Sequence, residues 1–430
     1  MRNRFTNLGW LATFVVAAIP ILIWLIAQPT QWENTGQIIR NLGRLAGLGG
    51  LALFAWAVVL SARLKILGRL FMGLDNTYRA HHIIGCLALI LLLIHPILLT
   101  TRYLLSSPIS AYEFIKPSFA SPLRLLGEVT LATFMSLMII VLYINITQKR
   151  LIMVMRLLGA LVFLGGIHAI FVGGSDISSL PLLQAYILTL LGLAAAVYIY
   201  RSLFHKSFSK FYDYTVDSIV HKGDIIELHL QSQSPIVKRL PGQFAFFKAE
   251  AKGLLGESHP FTMSSGPAQA LRFSIKQVGD FTKNLSTLKL GQNVKIDAPY
   301  GTFSNQIVTN KRQVWVAGGI GLTPFLSMTA SLNNDQQVDL YYSTKKKTEA
   351  VYLDELQKAA KDHKNLRLIP WATDRAGFLT AEAIFKQSKN LDNAAFMVCG
   401  PPPMMKVLRA QLKTKGIANK NIHTEEFSLT

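Results

Sequence analysis

The sequence predicts a multidomain membrane protein: an all-α six-helix transmembrane bundle, then an antiparallel β-barrel, then an α/β domain built on a parallel sheet. Three observations carry this. Six apolar stretches precede residue 204, each near the ~20 residues that a ~30 Å hydrocarbon layer requires. From Lys210 onward, short alternating segments are separated by turn residues, the mark of antiparallel β. After about Lys311, apolar strand-like runs alternate with helical stretches, as in a parallel α/β sheet.

The overall composition averages two unlike parts. Half of the 430 residues are hydrophobic and 16% are charged, with 44 basic side chains against 24 acidic. Residues 1–203 hold only 15 of those bases and 5 of those acids, so the first part is membrane-like and the second has an ordinary soluble composition. Disordered, collagenous and disulfide-scaffold classes are excluded. The surplus of +20 does not point to nucleic acid, because the bases of the first part sit at the ends of apolar segments and no basic motif appears. Cys86, in an apolar helix, and Cys399, in the soluble part, are too different in setting to pair.

The expected spans are residues 8–28, 45–62, 81–104, 125–146, 151–172 and 180–200. The first is too long for a secretion signal and no small-residue cleavage site follows it, so it is expected to be retained. Arg2, Arg4, Arg63, Lys65, Arg69, Arg79, Lys149, Arg150, Arg201, Lys206 and Lys210 fall on one side of the spans. Arg40, Arg44, Arg102, Lys116 and Arg124 fall on the other. The excess of bases places the N-terminus and everything after residue 204 in the cytoplasm, in a six-pass cell-membrane protein.

Within the spans, His95 and His168 need a reason to be in hydrocarbon, and axial ligation of haem is one. His81 lies 14 positions before His95, so the two share a helix face to within about 40° and stand ~21 Å apart, a spacing that suits two stacked haems. Helix-helix hydrogen bonding or a proton path is the competing use of the same residues. His168 has no matching upstream histidine. Thirteen positions back stands Met155, followed by Arg156, about 140° out of phase, so a shared face needs a local distortion, for which Gly165 and Gly166 are the candidates.

In the second part, Gly318-Gly319-Ile320-Gly321-Leu322-Thr323-Pro324 follows a strand-like run at 313–317 and precedes a helical segment, a turn that brings backbone N–H groups to a pyrophosphate. It is not the G-x-G-x-x-G order of a standard Rossmann dehydrogenase. His259-Pro260-Phe261-Thr262-Met263-Ser264-Ser265 is an extended segment suited either to a flat heteroaromatic ring or to an ordinary barrel strand. Lys345-Lys346-Lys347 follows the strand at 338–342, at the sheet edge where nucleotides bind; the run either meets a ribose 2′-phosphate or is simply solvated.

Taken in order, these elements resemble the NADPH oxidase and ferric reductase superfamily, most closely its bacterial NADPH oxidase homologues. The resemblance rests on the His81/His95 spacing, His259 to Thr262, the Gly318 to Phe325 turn, Val398-Cys399-Gly400-Pro401 and the terminal Glu425-Glu426-Phe427. It implies a haem membrane domain at 1–207, an FAD-binding β-barrel domain at 208–308 and an NAD(P)-binding α/β domain at 309–430. It further implies that His259, Pro260, Phe261, Thr262, Ser264 and Ser265 contact FAD, with Thr262 near the reactive flavin nitrogen. Gly279 and Thr282 would hold the FAD pyrophosphate. Gly318, Gly319, Gly321, Thr323 and Pro324 would bind the phosphates of NADPH, or NADH, with Lys345 and Lys346 at the 2′-phosphate. Cys399, Gly400 and Pro401 would flank the nicotinamide, and Phe427 would stack on the flavin and move aside for catalysis. His95 and His168 would hold one haem b. The family's second histidine on the fifth helix falls here on Met155, so either His81 and Met155 ligate a second haem, or Met155 is a core methionine and that haem is five-coordinate or lost. Arg79 and Arg156, with Arg102 and Arg124 on the far side, either neutralise haem propionates or anchor the helices at the interface.

The expected activity is transfer of electrons from cytoplasmic NADPH through FAD and haem b across the lipid bilayer to dioxygen, forming superoxide. A ferric or other metal-chelate reductase with the same electron path, a haem subunit serving a far-side protein partner, and a channel or transporter using the histidines for protons are the alternatives. No obligate protein partner is expected for the oxidase.

Overall fold

The structure, a computed structural model, describes residues 6–27, 32–62, 64–71, 73–117, 119–144, 148–172, 176–204, 211–233, 237–249, 251, 254 and 258–425. Of the bases counted for topology, Arg2, Arg4, Arg63, Lys206 and Lys210 lie outside these residues. The chain divides into two compact units, Met1–Phe208 and Ser209–Thr430.

The N-terminal unit is helical: α1 (Thr6–Ala27), α2 (Thr35–Leu60), α3 (Lys65–Leu70), α4 (Leu74–Leu104), α5 (Pro108–Ile115), α6 (Pro122–Tyr143), α7 (Gln148–Phe171), α8 (Asp176–Ser179) and α9 (Pro181–Ile199). Among the described residues six helices, in α1, α2, α4, α6, α7 and α9, are long and apolar enough to cross a membrane. At ~1.5 Å per residue the shortest of these elements, the 19 residues of α9, extends about 28 Å. Starts are set by local chemistry. The Asn34 side chain accepts from Gln37 N at 2.9 Å, Ser107 accepts from Ser110 N at 3.0 Å, and Pro108, Pro122 and Pro181 open their helices.

Two of these elements begin earlier than hydropathy predicts. α2 starts at Thr35 and α4 at Leu74, because backbone hydrogen bonding continues through polar turns that an apolar-run criterion discards. Helix α2 is the inner one, its residues Leu48 to Leu60 all buried, and it packs most extensively on α4. Gly43, Gly47 and Gly50 line that seam. Phe54 stacks on Phe134 at 4.5 Å, and the indole N–H groups of Trp24 and Trp56 are met by Asp176 (2.8 Å) and Thr13 (3.0 Å). The distortion expected at Gly165-Gly166 is not present: α7 is one continuous helix through both, with Gly166 packed on Leu191.

The C-terminal unit holds two sheets. The first is curled, antiparallel and six-stranded, in the order β4-β3-β6-β1-β2-β5. Its strands are β1 (Phe211–Lys222), β2 (Ile225–Ser232), β3 (Phe244–Ala249), β4 (His259–Thr262), β5 (Leu271–Lys276) and β6 (Asn293–Tyr300). β1 and β2 form a hairpin closed by Gly223-Asp224, where Gly223 has φ +63°. Between β5 and β6 lies the short α10 (Asp280–Asn284).

The second sheet is parallel, in the order β11-β10-β7-β8-β9. It comprises β7 (Arg312–Gly318), β8 (Gln337–Thr344), β9 (Leu366–Ala372), β10 (Ala395–Cys399) and β11 (Ile422–Glu425). Helices α11 (Thr323–Thr329), α12 (Leu353–Asp362), α13 (Thr373–Ala376), α14 (Ala381–Gln387) and α15 (Pro402–Thr414) connect them. β7 and β10 are almost wholly buried, which explains their continuous apolar runs. The chain builds outward from β7 to β9 and then returns to place β10 on the other side of β7. That reversal opens a crevice at the carboxyl ends of β7 and β10, where α/β sheets bind ligands.

Candidate functional site

At the switch point, backbone approach is controlled by glycine. Gly318 ends β7 beside Gly400, which follows β10; a Cβ on Gly400 would stand 3.0 Å from Gly318 Cα. Gly319 has φ +54°, a left-handed conformation that glycine adopts without strain. A Cβ on Gly321 would meet the carbonyl of Cys399, so this glycine serves close packing beneath the turn. Thr323 is buried and donates to Ile320 O at 3.2 Å, and Pro324 sits at the start of α11.

Above the turn lies a cavity of about 1030 Å³, large enough for a dinucleotide. Gly318, Gly319, Lys345 and Pro401 line it, joined by Ser343 and Thr344 from the end of β8. Gly321, Thr323, Pro324, Lys346, Cys399 and Gly400 do not line it. Lys346 instead shapes the turn, its carbonyl accepting from Thr344 Oγ1 at 2.9 Å. The Cys399 thiol is fully buried and donates to Glu425 O at 3.5 Å. Burial, reinforced by the Glu425 charge, pushes this thiol well above its ordinary range, so it stays protonated. β11 pairs with β10 in the register Cys399↔Glu425. Glu426 and Phe427 lie outside the described residues.

The His259 to Thr262 segment is β4, an edge strand paired through Phe244↔Thr262 and Phe247↔His259. Its alternation sends His259 and Phe261 to one face. There the His259 ring lies 3.9 Å from that of Phe281, and Phe261 stacks on Phe281 at 6.1 Å, so the extended segment and the Gly279 turn are brought together. Gly279 caps α10, and Thr282 Oγ1 accepts from Gly279 N at 3.0 Å. Thr262 is buried. Ser264 and Ser265 have hydroxyls already engaged: Ser264 with Ser274 at 2.9 Å, and Ser265 accepting from Arg239 at 3.1 Å and from Arg272 N at 3.0 Å.

Arg239 and Arg272 did not emerge from the sequence. Arg239 Nη2 also donates to Gly266 O (2.7 Å) and Gln269 O (3.0 Å), closing the loop after Ser265. Arg272 makes a bidentate pair with Glu355 of α12 (3.1 and 2.8 Å), joining the curled sheet to the helix that follows the lysine run. Glu227 lies behind it, 3.1 Å from Lys222 Nζ. Burial alone would raise the Glu227 carboxyl, but the Lys222 bond and the Arg272 charge hold it below its ordinary range. The only sequence signal was an acid inside an apolar strand, and its partners come from other strands.

In the helical unit, three histidines share one arrangement. Nδ1 of His95 is 2.8 Å from Gly43 O, Nδ1 of His168 is 2.7 Å from Leu123 O, and Nδ1 of His81 is 2.7 Å from Ala57 O. A carbonyl only accepts, so each Nδ1 carries a proton, and in the neutral ring Nε2 is then the nitrogen with the lone pair. That is the tautomer a metal-ligating imidazole needs, with the second nitrogen anchored. His95 stands on α4 and His168 on α7, and the His82 ring lies 6.3 Å from that of His81. The residues fit a bis-imidazole haem at His95 and His168. Met155 fits less well. It packs against the helical core, and on an unbroken α7 it points about 140° away from the His168 direction. Arg124 is not available for a propionate, being engaged with Glu128 (2.9 Å), the Phe114 ring (4.5 Å) and the Phe114 carbonyl.

Residues 212–304 match the FAD-binding domain family, and residues 315–410 match the oxidoreductase NAD-binding domain family. A flavohemoprotein of Xylella fastidiosa (strain 9a5c) is 26% identical over 214 residues, covering 46% of this chain and 54% of that protein. NADH-cytochrome b5 reductase 1 of Mycosarcoma maydis is 30% identical over 151 residues, covering 32% of this chain and 47% of its own length. The chain spans about half the length of the curated relatives it matches. Among solved structures, flavohemoglobin from Malassezia yamatoensis with bound FAD and heme shares the fold at a TM-score of 0.51 and 18% identity, over 94% of this chain and 97% of that one. The C-terminal half is thus an FAD- and NAD-binding module of ferredoxin-reductase-like fold. By homology and domain content it is an NAD(P)H-dependent flavin oxidoreductase.

Proposed function

We propose that the chain is a transmembrane NADPH oxidase of the ferric reductase superfamily, taking electrons from cytoplasmic NADPH and delivering them to dioxygen on the far face as superoxide. One observation carries the reading. His95 and His168, on two different helices long enough to cross a bilayer, each present a free Nε2 in a chain that also bears a flavin oxidoreductase module.

Bound FAD would supply the conversion between a two-electron hydride donor and the one-electron chemistry of haem iron. The chain's own residues arrange this. Gly318 and Gly319 let the NADPH pyrophosphate approach bare backbone, and Lys345 at the cavity wall meets the 2′-phosphate. Gly400 and the protonated Cys399 mark the nicotinamide end. β4 offers its open edge to the flavin, with Thr262 on the face away from the His259 and Phe261 rings. Gly43 and Leu123 carbonyls hold His95 and His168 in the ligating tautomer. His81 supplies one ligand toward a second haem, and Met155, packed in the core of an unbroken α7, is the poorer match for the other. Outward-facing Phe14, Ile26, Ile97, Phe171 and Leu182 give the helices a lipid-facing surface.

The full-length protein in detergent should show a haem Soret band that is lost in His168→Ala, with flavin retained, and should release superoxide under NADPH. Anaerobic reduction of a ferric chelate without aerobic superoxide release would reassign it to the metal-chelate reductases. A flavin-loaded protein without any Soret band would overturn the haem reading.

A further inference from the structure

Two intramembrane histidines are seated by the same device on separate helix pairs. His95 of α4 donates Nδ1–H to Gly43 O of α2, and four residues further on Gly47 lies under its ring, where a Cβ would stand 2.7 Å from His95 Nδ1. His168 of α7 donates to Leu123 O of α6, and four residues further on Gly127 lies under its ring, where a Cβ would stand 2.5 Å from both Nδ1 and Cε1. One turn of helix therefore supplies both the acceptor and a patch of bare backbone. The imidazole cannot yield as the end of a flexible chain would, since its own Nδ1 is tied to the helix beneath it. The arrangement is specific. Gly85, Gly165 and Gly192, also on apolar helices, have nothing within 4 Å of a built Cβ. His81 bonds Ala57 O, but the residue four positions on is Ser61, so it lacks the notch.

We propose that Gly47 and Gly127 are positioning residues that set the ring plane and the Nε2 direction of His95 and His168, and so fix how this pair grips haem iron. The proposal rests on the reading that the pair holds haem. An added methyl group would lift the ring from its notch, lengthen the Nδ1–H···O=C bond and turn Nε2, weakening the outer support that orients a ligating histidine.

The test compares the full-length native protein in detergent with Gly47→Ala, Gly127→Ala and Gly50→Ala. Gly50 is the control. A Cβ there would stand 2.8 Å from Leu92 Cγ, so it crowds the same α2–α4 seam without touching a histidine. Flavin content, carried by the C-terminal unit, reports how much chain is present. Three readouts follow: haem-to-flavin ratio, the electron paramagnetic resonance g-values of the oxidised haem, and its midpoint potential. Gly47→Ala and Gly127→Ala should each shift the g-values and the potential, or weaken haem retention by about tenfold, while Gly50→Ala keeps the native ratio and spectrum. Native spectra in both variants, or the same change in Gly50→Ala, would overturn the proposal. Native protein with flavin and no haem would overturn the reading beneath it instead. Because the two notches lie on different helix pairs, either variant decides the matter if the other does not accumulate.

Discussion

In the helical unit, four polar groups meet neutral partners one at a time: a ring N–H on a carbonyl for His81, His95 and His168, and an indole N–H on a hydroxyl for Trp56. The C-terminal unit instead gathers charges. Asp339, 4% exposed, accepts from Arg312 (2.5 Å), Arg367 (2.6 Å) and Ser388 (2.5 Å). Glu227, 3% exposed, collects Lys222 and Arg272. The difference follows from composition, since only 5 of the 24 acidic side chains fall in residues 1–203, among long apolar helices. An uncompensated charge among apolar side chains costs several kcal/mol, so such helices favour neutral pairs and use glycine to bring backbone acceptors within reach. Charges meet charges there too, in isolated pairs: Arg44 with Asp176 at 3.1 Å and Arg124 with Glu128 at 2.9 Å. A water-facing module can desolvate a carboxylate if it surrounds it with donors.

The comparison breaks most visibly at Asp339. Two arginines anchor it from β7 and β9, so Asp339→Ala leaves both guanidinium groups facing a vacated buried site. Breaking a buried pair in this way costs about 3–5 kcal/mol, which should lower the Tm of the C-terminal unit by roughly 6–20 °C. Circular dichroism melting of the full chain checks it. A loss under about 1 kcal/mol would show that the cluster is held by packing rather than by charge.

Much of this was legible beforehand, for reasons that differ by element. The long apolar helices were visible because length and apolarity are one-dimensional properties. The Gly318 to Pro324 turn was visible because only glycine permits that backbone approach. The early starts of α2 and α4 were hidden by Arg40, Asn41, Arg44 and Asp75, which look like boundaries until Asn34 is seen to cap the helix and Asp176 to answer Arg44 across 132 positions. The acceptors of the histidines were invisible in principle, since every residue has a carbonyl, although Gly43, Gly47 and Gly50 repeat at helical spacing. The donors of Asp339 come from β7, β9 and the end of α14 and those of Glu227 from β1 and β5, and no local pattern announces them.

A smaller effect sharpens the same contrast through pH. Two Arg bonds and Ser388 hold the Asp339 carboxyl below its ordinary range against burial, which pushes it up, and Glu227 behaves likewise. A depressed folded-state pKa adds stability that is present above the unfolded value, about pH 4, and is lost as pH falls through the folded one. The C-terminal unit should therefore lose Tm progressively below about pH 4. Glu227→Gln should flatten part of that fall, and Asp339→Asn should flatten more of it. An acid limb identical to the native one in both variants would show that other carboxylates carry it.

The smallest effect tests the cavity wall. Lys345 is exposed, and an exposed ammonium is worth at most about 1 kcal/mol to a partner charge. Lys345→Ala should therefore raise KM for NADPH by about twofold to fivefold, leave kcat unchanged and leave NADH untouched, because only NADPH carries the 2′-phosphate. Steady-state kinetics with both nucleotides at low salt separates the possibilities. Equal changes for the two nucleotides would mean that Lys345 shapes the β8 turn, where its carbonyl accepts from Asp374 N at 3.1 Å, and reads no phosphate.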